Sequence, residues 1–389
     1  MKDKRRNGLS FFEILVMIAL AVIASFFLHH RFGSFDLPAR LTDGAAAMES
    51  PKTEAWDRDS LYKTLQGAFE ALEEEIVLPY DCSDELFDVY KEVLADHPEL
   101  FWLSGGGTFV KKTSGTDVTV EFRPEILMDR EEILTRRAAV EERAGEILER
   151  CAGGETLWDR LLLLHDILVD ETDYDEAAAE AMTEEYTGSD ALSQSTSAYG
   201  ALVNRRAVCS GYAAAFQLIA GRMGAECRRV QGTELKTGAP HEWNVVLLDG
   251  DWVQMDVTWD DPVFAGETPD RYRSYDYFCV TTEEILLNHV PDDPAALPEC
   301  TSRRWSYYVR TGCTLDAYDP AVIARIIAEQ ADGDCAFLKF PSEEDAEDAL
   351  ARLLNGQEVF EIPVLAERGV KSAGGAASEM GTVCLWFFT

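Results

Sequence analysis

The chain has 389 residues, 47% of them hydrophobic and 10% aromatic, which is ordinary folded material but too long for one core. Against 71 Asp and Glu stand 35 Lys and Arg, a formal net charge of −36. Such a surface repels nucleic acid and anionic headgroups, which excludes nucleic acid as a partner and favours neutral or cationic ones.

The first 31 residues hold five basic side chains (Lys2, Lys4, Arg5, Arg6, Arg31) and two acidic ones (Asp3, Glu13), a local +3 that leaves −39 for the remainder. Ser10–Leu28 is apolar apart from Ser10, Glu13 and Ser25, just long enough to cross a hydrocarbon core. The basic cluster ahead of it predicts a cytoplasmic N-terminus over residues 1–8 and a single signal-anchor span over 9–28. The chain is thus expected to be a single-pass protein of the cell membrane with its bulk outside the cytoplasm. A cleaved signal peptide is the rival reading, but no small-x-small site closely follows the apolar run, and Gly44-Ala45-Ala46-Ala47 lies far from it. Nine cysteines outside the cytoplasm invite disulfides, yet the count is odd and the spacing wide. No C-x-x-C pair exists and no histidine clusters with the cysteines, so neither metal nor cofactor is expected. At least one thiol is left unpaired within the chain.

Residues 29–55 read as a linker rich in Ala, Asp, Gly and Pro. Leu61, Leu65, Ala68/Phe69 and Leu72 then recur at helical spacing, and Leu86–Leu94 gives a second helix ending before His97-Pro98. Glu99–Leu103 and Val118–Phe122 read as strands around a turn at the glycines 105–107. Arg130–Cys151 and Leu157–Val169 are further helices, split by Gly153-Gly154, and a polar segment follows from Asp170 to Ser197. After about residue 300, a helix (Ala321–Gln330), a strand (Ala336–Phe340), a helix (Glu343–Leu354) and a strand (Val383–Phe388) alternate. The division expected is an α+β extension over 56–150, a core over 151–295 and a small C-terminal α+β domain over 300–389, with no internal repeat.

Cys209 opens a segment in which Tyr212, Phe216, Ile219/Ala220 and Met223 share a helical face, with Gly224 as the C-terminal stop. A thiol at a helix N-terminus meets the positive end of the macrodipole and free N–H groups, which favour the thiolate, the form that attacks carbonyls. A lone cysteine before an apolar helix is more often a small buried hydrophobe. Downstream, His241–Leu248 alternates toward Asp249-Gly250, a strong two-residue hairpin turn, and Asp251–Trp259 returns. If Asp249 and Gly250 are the turn residues, 248 pairs with 251, His241 faces Thr258 and Asp256 faces Trp243. His241 and Asp256 are then diagonal neighbours on one face, within side-chain reach. A slip of one residue would separate them. A solvent-facing histidine and a solvated aspartate are each plausible alone. Their joint placement downstream of a helix-heading cysteine points instead to a nucleophile (Cys209), a base (His241) and an orienting carboxylate (Asp256).

The runs A-Y-G-A-L-V-N-R-R-A-V-C-S-G-Y-A-A-A-F, G-A-E-C-R-R-V-Q-G and H-E-W-N-V-V-L-L-D-G-D-W-V-Q-M-D-V-T-W-D-D-P resemble the bacterial transglutaminase-like core in order and spacing. Upstream H-P-E-L-F-W-L-S-G-G and L-L-L-H-D-I-L-V-D-E-T-D-Y-D, and downstream Y-D-Y-F-C-V, are similar to membrane-attached members of that group, so the resemblance covers roughly 95–290. It implies a papain-like α+β core with the cysteine on its central helix and the histidine and aspartate on adjacent strands. One departure is that family members often carry a glycine shortly before the cysteine, where this chain has Asn204-Arg205-Arg206-Ala207.

The residue types then imply thioester chemistry on a carboxamide or peptide carbonyl, with the Cys209 N–H as one oxyanion donor. A protein or a cell-wall peptide is the expected substrate and hydrolysis the expected outcome. Transfer to an amine, which would cross-link proteins, and a non-catalytic binding scaffold are the alternatives. Trp243 and Trp259 read as packing ahead of site walls, Cys227 as core, and His165 as a structural histidine on an apolar helix. Tyr174 and Asp175 resemble a family loop and carry no assigned role.

Overall fold

In a computed structural model that describes residues 57–183, 194–261, 273–330 and 333–389, helices surround four sheets. Helix α1 (Arg58–Glu70) begins at a capping box, the Asp57 carboxylate accepting from the Ser60 N–H at 2.7 Å while the Ser60 hydroxyl receives the Asp57 N–H. With α2 (Leu86–Asp96) it covers a three-stranded sheet in the order β1 (Ile76–Leu78), β3 (Asp117–Ile126), β2 (Leu103–Ser114). Leu61, Leu65, Tyr90, Trp102 and Phe122 close a core of its own there. The glycines 105–107, expected as the turn, lie inside β2, and the chain reverses at Gly115, with φ of 65°. They mark a register shift between Leu103 and Gly107, where a Cβ on Gly107 would come within 2.7 Å of the Arg123 carbonyl. Glycine here permits a bulge and a close backbone approach.

Helices α3 (Arg130–Cys151) and α4 (Leu157–Glu171) follow as the spacing predicts, then the short parallel pair β4 (Asp173–Tyr174) and β5 (Arg206–Ala207). Helix α5 (Cys209–Arg222) ends before Gly224, whose φ of 86° suits a residue without Cβ. Its apolar face packs on an antiparallel sheet ordered β10 (His289–Pro291), β6 (Cys227–Glu234), β7 (Pro240–Leu248), β8 (Asp251–Met255), β9 (Phe278–Val280).

The last third forms α6 (Pro320–Glu329), β11 (Cys335–Lys339), α7 (Glu343–Leu354), β12 (Ser372–Ala377) and β13 (Thr382–Phe388), with sheet order β11-β13-β12. Strand β12 has no counterpart in the sequence reading. Its Ser-Ala-Gly-Gly-Ala-Ala lacks β-branched and aromatic residues, and Gly374 lies so close to the Trp386 indole that no Cβ fits between them. Leu338 and Leu385 of this sheet share one continuous core with Phe216 of α5 and Leu161 of α4, so the boundary near residue 300 separates sheets rather than cores. Among the described residues no helix is long and apolar enough to cross a membrane. The span expected at 9–28 and the linker at 29–55 lie outside the described residues.

Candidate active site

The backbone before Cys209 is clamped. Asp173 and Tyr174 pair with Arg206 and Ala207, the Asp175 N–H donates to the Ala207 carbonyl at 2.9 Å, and the Val208 N–H donates to the Ser195 carbonyl at 3.0 Å. The Asp175 carboxylate accepts from the Ser195 hydroxyl at 2.6 Å and pairs with Arg206 at 3.0 Å. Tyr174 and Asp175, without a role in the sequence reading, thus fix the entry to the helix. Arg205 sits at φ 55° and ψ 35°, a conformation that favours glycine. The stretch Asn204-Arg205-Arg206-Ala207 thus holds a left-handed turn whose strain falls on an arginine.

Cys209 is the first residue of α5 and is buried, 7% exposed. His241 comes from β7, opposite Gly232 of β6. The hairpin has the register set by its turn: Leu248 pairs with Asp251 and Asn244 with Met255, while Asp249 and Gly250 take φ of 46° and 88°. Asp256 follows one residue beyond β8, its N–H donating to the Tyr277 carbonyl at 3.0 Å. The diagonal contact closes at 2.6 Å between His241 Nε2 and Asp256 Oδ2. Cys209 lies close enough to the same ring to raise its proton affinity. With Nε2 taken, Nδ1 is the nitrogen that remains for the thiol.

Asp256 has more partners than the sequence suggested. Its Oδ1 accepts the N–H groups of Thr258 and Trp259 at 3.0 and 3.2 Å, and its Oδ2 is shared between His241 and His289, whose Nε2 lies 2.9 Å away. A carboxylate offers about four acceptor positions, and all are filled. Burial alone would raise the Asp256 carboxyl, but the charge and hydrogen bond of His241 and the bond of His289 hold it well below the usual carboxylate range. Burial would lower His241, yet Asp256 first and Cys209 second raise it to about 10. Tyr174 feels the same charges: burial, then Cys209 and Asp256, push its hydroxyl up to about 12.

Aromatic rings surround this cluster. Trp243 is buried, as expected of packing, with its N–H on Gln254 Oε1 at 2.8 Å, but its face also stacks on His241 at 6.0 Å between centroids. Trp259 stands 5.7 Å from His241 and 4.5 Å from His289. Gly232 makes the arrangement possible, since a Cβ there would meet the Val290 carbonyl at 2.3 Å and the Trp243 ring at 2.9 Å. A cleft of about 900 Å³ is walled in part by Ser210, Ala214, Arg229, Gln231 and Glu242. Ser210 and Glu242 directly follow Cys209 and His241.

Among the described residues, His241, Asp256 and His289 are the group that could hold a metal ion, with ligand atoms within 4.8 Å of one another. Their N···O separations of 2.6 and 2.9 Å are hydrogen-bond lengths, so the group reads as a hydrogen-bonded network. His165 is the structural histidine expected: fully buried, with Nδ1 on Asp166 at 3.1 Å and Nε2 on Asp260 at 3.2 Å. Cys227 packs against the core, and burial pushes its thiol up, as it does that of Cys279.

Residues 149–257 match the model of the transglutaminase-like superfamily. The match contains Cys209, His241 and Asp256 and ends before His289. No curated protein matches the chain. Among solved structures, a TGase is 14% identical with a TM-score of 0.30, covering 51% of this chain and 54% of that one. A candidate cysteine protease from Cytophaga hutchinsonii is 13% identical with a TM-score of 0.24, covering 40% of this chain and 63% of the other. The chain thus spans between half and two thirds of the length of these two.

Proposed function

We propose, on the premise that residues 149–257 belong to the transglutaminase-like superfamily, that this chain is an extracytoplasmic thiol hydrolase acting on amide bonds. The observation that carries the reading is a thiol at the head of α5 close to an imidazole whose Nε2 is held by Asp256 at 2.6 Å. His241 takes the Cys209 proton, and the sulfur attacks the carbonyl carbon of a glutamine carboxamide or a peptide. The oxyanion forms near the Cys209 N–H, the imidazolium gives its proton to the departing ammonia or amine, and a thioester remains. His241 then draws a proton from water, hydroxide attacks the thioester, and acid and free thiol leave. The substrate proposed is a protein or a wall peptide.

Alkylation by iodoacetamide at about pH 6 tests the activated thiol. Cys209 should label well ahead of the other eight cysteines. Cys335 is the informative comparison, since a hydrogen bond from Cys384 lowers its thiol despite burial. If Cys209 labels no faster than Cys227 or Cys279, the enzyme reading gives way to a binding scaffold. Offering the chain a glutamine-containing protein and a labelled amine separates the chemistries: ammonia or new termini without label mean hydrolysis, and incorporated label means acyl transfer.

The extracytoplasmic part of the proposal rests on the basic cluster before Ser10–Leu28. A Ser50→Cys variant, with the native thiols blocked or removed, should react with an impermeant thiol reagent on intact cells. Protection of that thiol would reverse the topology.

A further inference from the structure

His289 lies 33 residues beyond Asp256 and outside the segment that matches the family model. It is fully buried, as Asp256 nearly is, on a strand that, among the described residues, joins the sheet through β6 alone. A buried imidazole on an edge strand needs a reason. Its Nε2 faces the Asp256 oxygen that also accepts from His241, and its Nδ1 faces Asn288 Oδ1 at 2.6 Å. The Asn288 amide in turn reaches the Tyr277 hydroxyl at 2.6 Å. The chain Tyr277–Asn288–His289–Asp256–His241 is continuous and largely shielded from water.

We infer that His289 is a positioning residue for this site: by sharing Asp256 Oδ2 with His241, it limits how tightly the carboxylate holds the His241 proton. The inference rests on the thiol-enzyme reading for its purpose, because His241 must both release a proton to the leaving amine and take one from water. A carboxylate reserved for His241 alone would favour the imidazolium and slow the second step. His289 must donate through Nε2, since a carboxylate only accepts. The positive end of that N–H is aimed at the carboxylate oxygen that His241 also uses, the two rings stand 5.0 Å apart, and the sharing weakens the hold of Asp256 on the His241 proton. The charged and titratable groups facing His289 are Asp256, His241 and Tyr277. Glu234, opposite it in the ladder, is engaged by Thr237. The two N–H bonds to Oδ1 keep Asp256 oriented when His289 is removed, so the effect is on the proton rather than on the fold.

The test is a titration of ring-labelled histidine by nuclear magnetic resonance in the full-length chain carrying Cys209→Ser, which removes the thiol's own influence. Six histidines give a countable set of signals, and His241→Gln assigns the one that matters. In His289→Leu the His241 midpoint should rise by about one pH unit, the scale of one lost hydrogen bond to a charged partner. His289→Gln, which retains a donor, should restore it. In an Asp256→Ala background His289→Leu should have no further effect. Asn288→Ala leaves the imidazole in place and should move the midpoint the same way by less, which keeps the test open if His289→Leu does not fold. An unmoved or lowered midpoint in a folded variant, or the same shift without Asp256, overturns the inference. Failure of the thiol-enzyme reading would show elsewhere, as slow labelling of Cys209 in the unaltered chain.

Discussion

Replacing His241 by alanine should lower turnover by about 10⁴-fold or more, and Cys209→Ala combined with it should be little worse than either alone, because the two act as one unit. Asp256→Ala should cost a comparable factor in turnover yet leave much of the Cys209 labelling at about pH 6, where the helix terminus and imidazole remain. The pH dependence separates the two roles. In the unaltered chain His241 is raised to about 10, so the imidazolium partner persists through neutral pH and is lost only as pH climbs through that value. Asp256 is held well below the usual carboxylate range, so mild acid does not break the pair. Without Asp256 the burial that lowers His241 is opposed by Cys209 alone. The alkaline loss of the ion pair should therefore move down by several pH units, read from the rate of Cys209 alkylation across the pH range. Unchanged turnover in His241→Ala, or an alkaline limit that stays put in Asp256→Ala, would remove His241 and Asp256 from these roles.

The largest effect on stability should come from Asp260, four residues after Asp256. Asp260 and His165 are both fully buried and hydrogen-bonded to each other, and the Asp260 carboxylate also accepts the Tyr277 N–H at 3.1 Å. The Asp260 N–H returns to the Asp256 carbonyl at 3.3 Å, so the pair braces the loop that carries the orienting carboxylate. Asp260→Ala strands a buried imidazole and a buried N–H, a change that costs about 3–5 kcal/mol. Burial alone would lower His165, but Asp166 and Asp260 raise it to about 9. The stability it contributes should be full below its unfolded value, near 6.5, and fade as pH rises through about 9. Denaturant unfolding of the chain and of Asp260→Ala at neutral and alkaline pH measures both. A loss under about 1 kcal/mol, or one that grows with pH, would show that the pair is not a net support.

What the sequence determined by itself are features encoded locally. An apolar face at 3.6-residue spacing behind Cys209 makes a helix, and its N-terminus therefore lies at the thiol. An Asp-Gly turn between alternating strands fixes one register, and register alone brings His241 and Asp256 to one face. The capping residues of α1, α4 and α7 and the apolar spacing behind them are equally local, and α7 runs over the residues expected of it, Glu343–Leu354. What only the tertiary structure decided depends on pairing between distant segments. Whether Gly105–Gly107 turn the chain or bulge it depends on β3 lying alongside, and the poor strand former β12 is a strand because β13 pairs with it, with Gly374 against the Trp386 ring. His289 is the clearest case. Nothing in Leu286-Leu287-Asn288-His289-Val290-Pro291 marks a site residue. It becomes one because β10 adds to the edge of β6, next to the strand that carries His241, and Gly232 leaves the room. Periodicity and turn chemistry act over a few residues. The choice of a sheet neighbour is made by long-range burial, which no local pattern in the chain records.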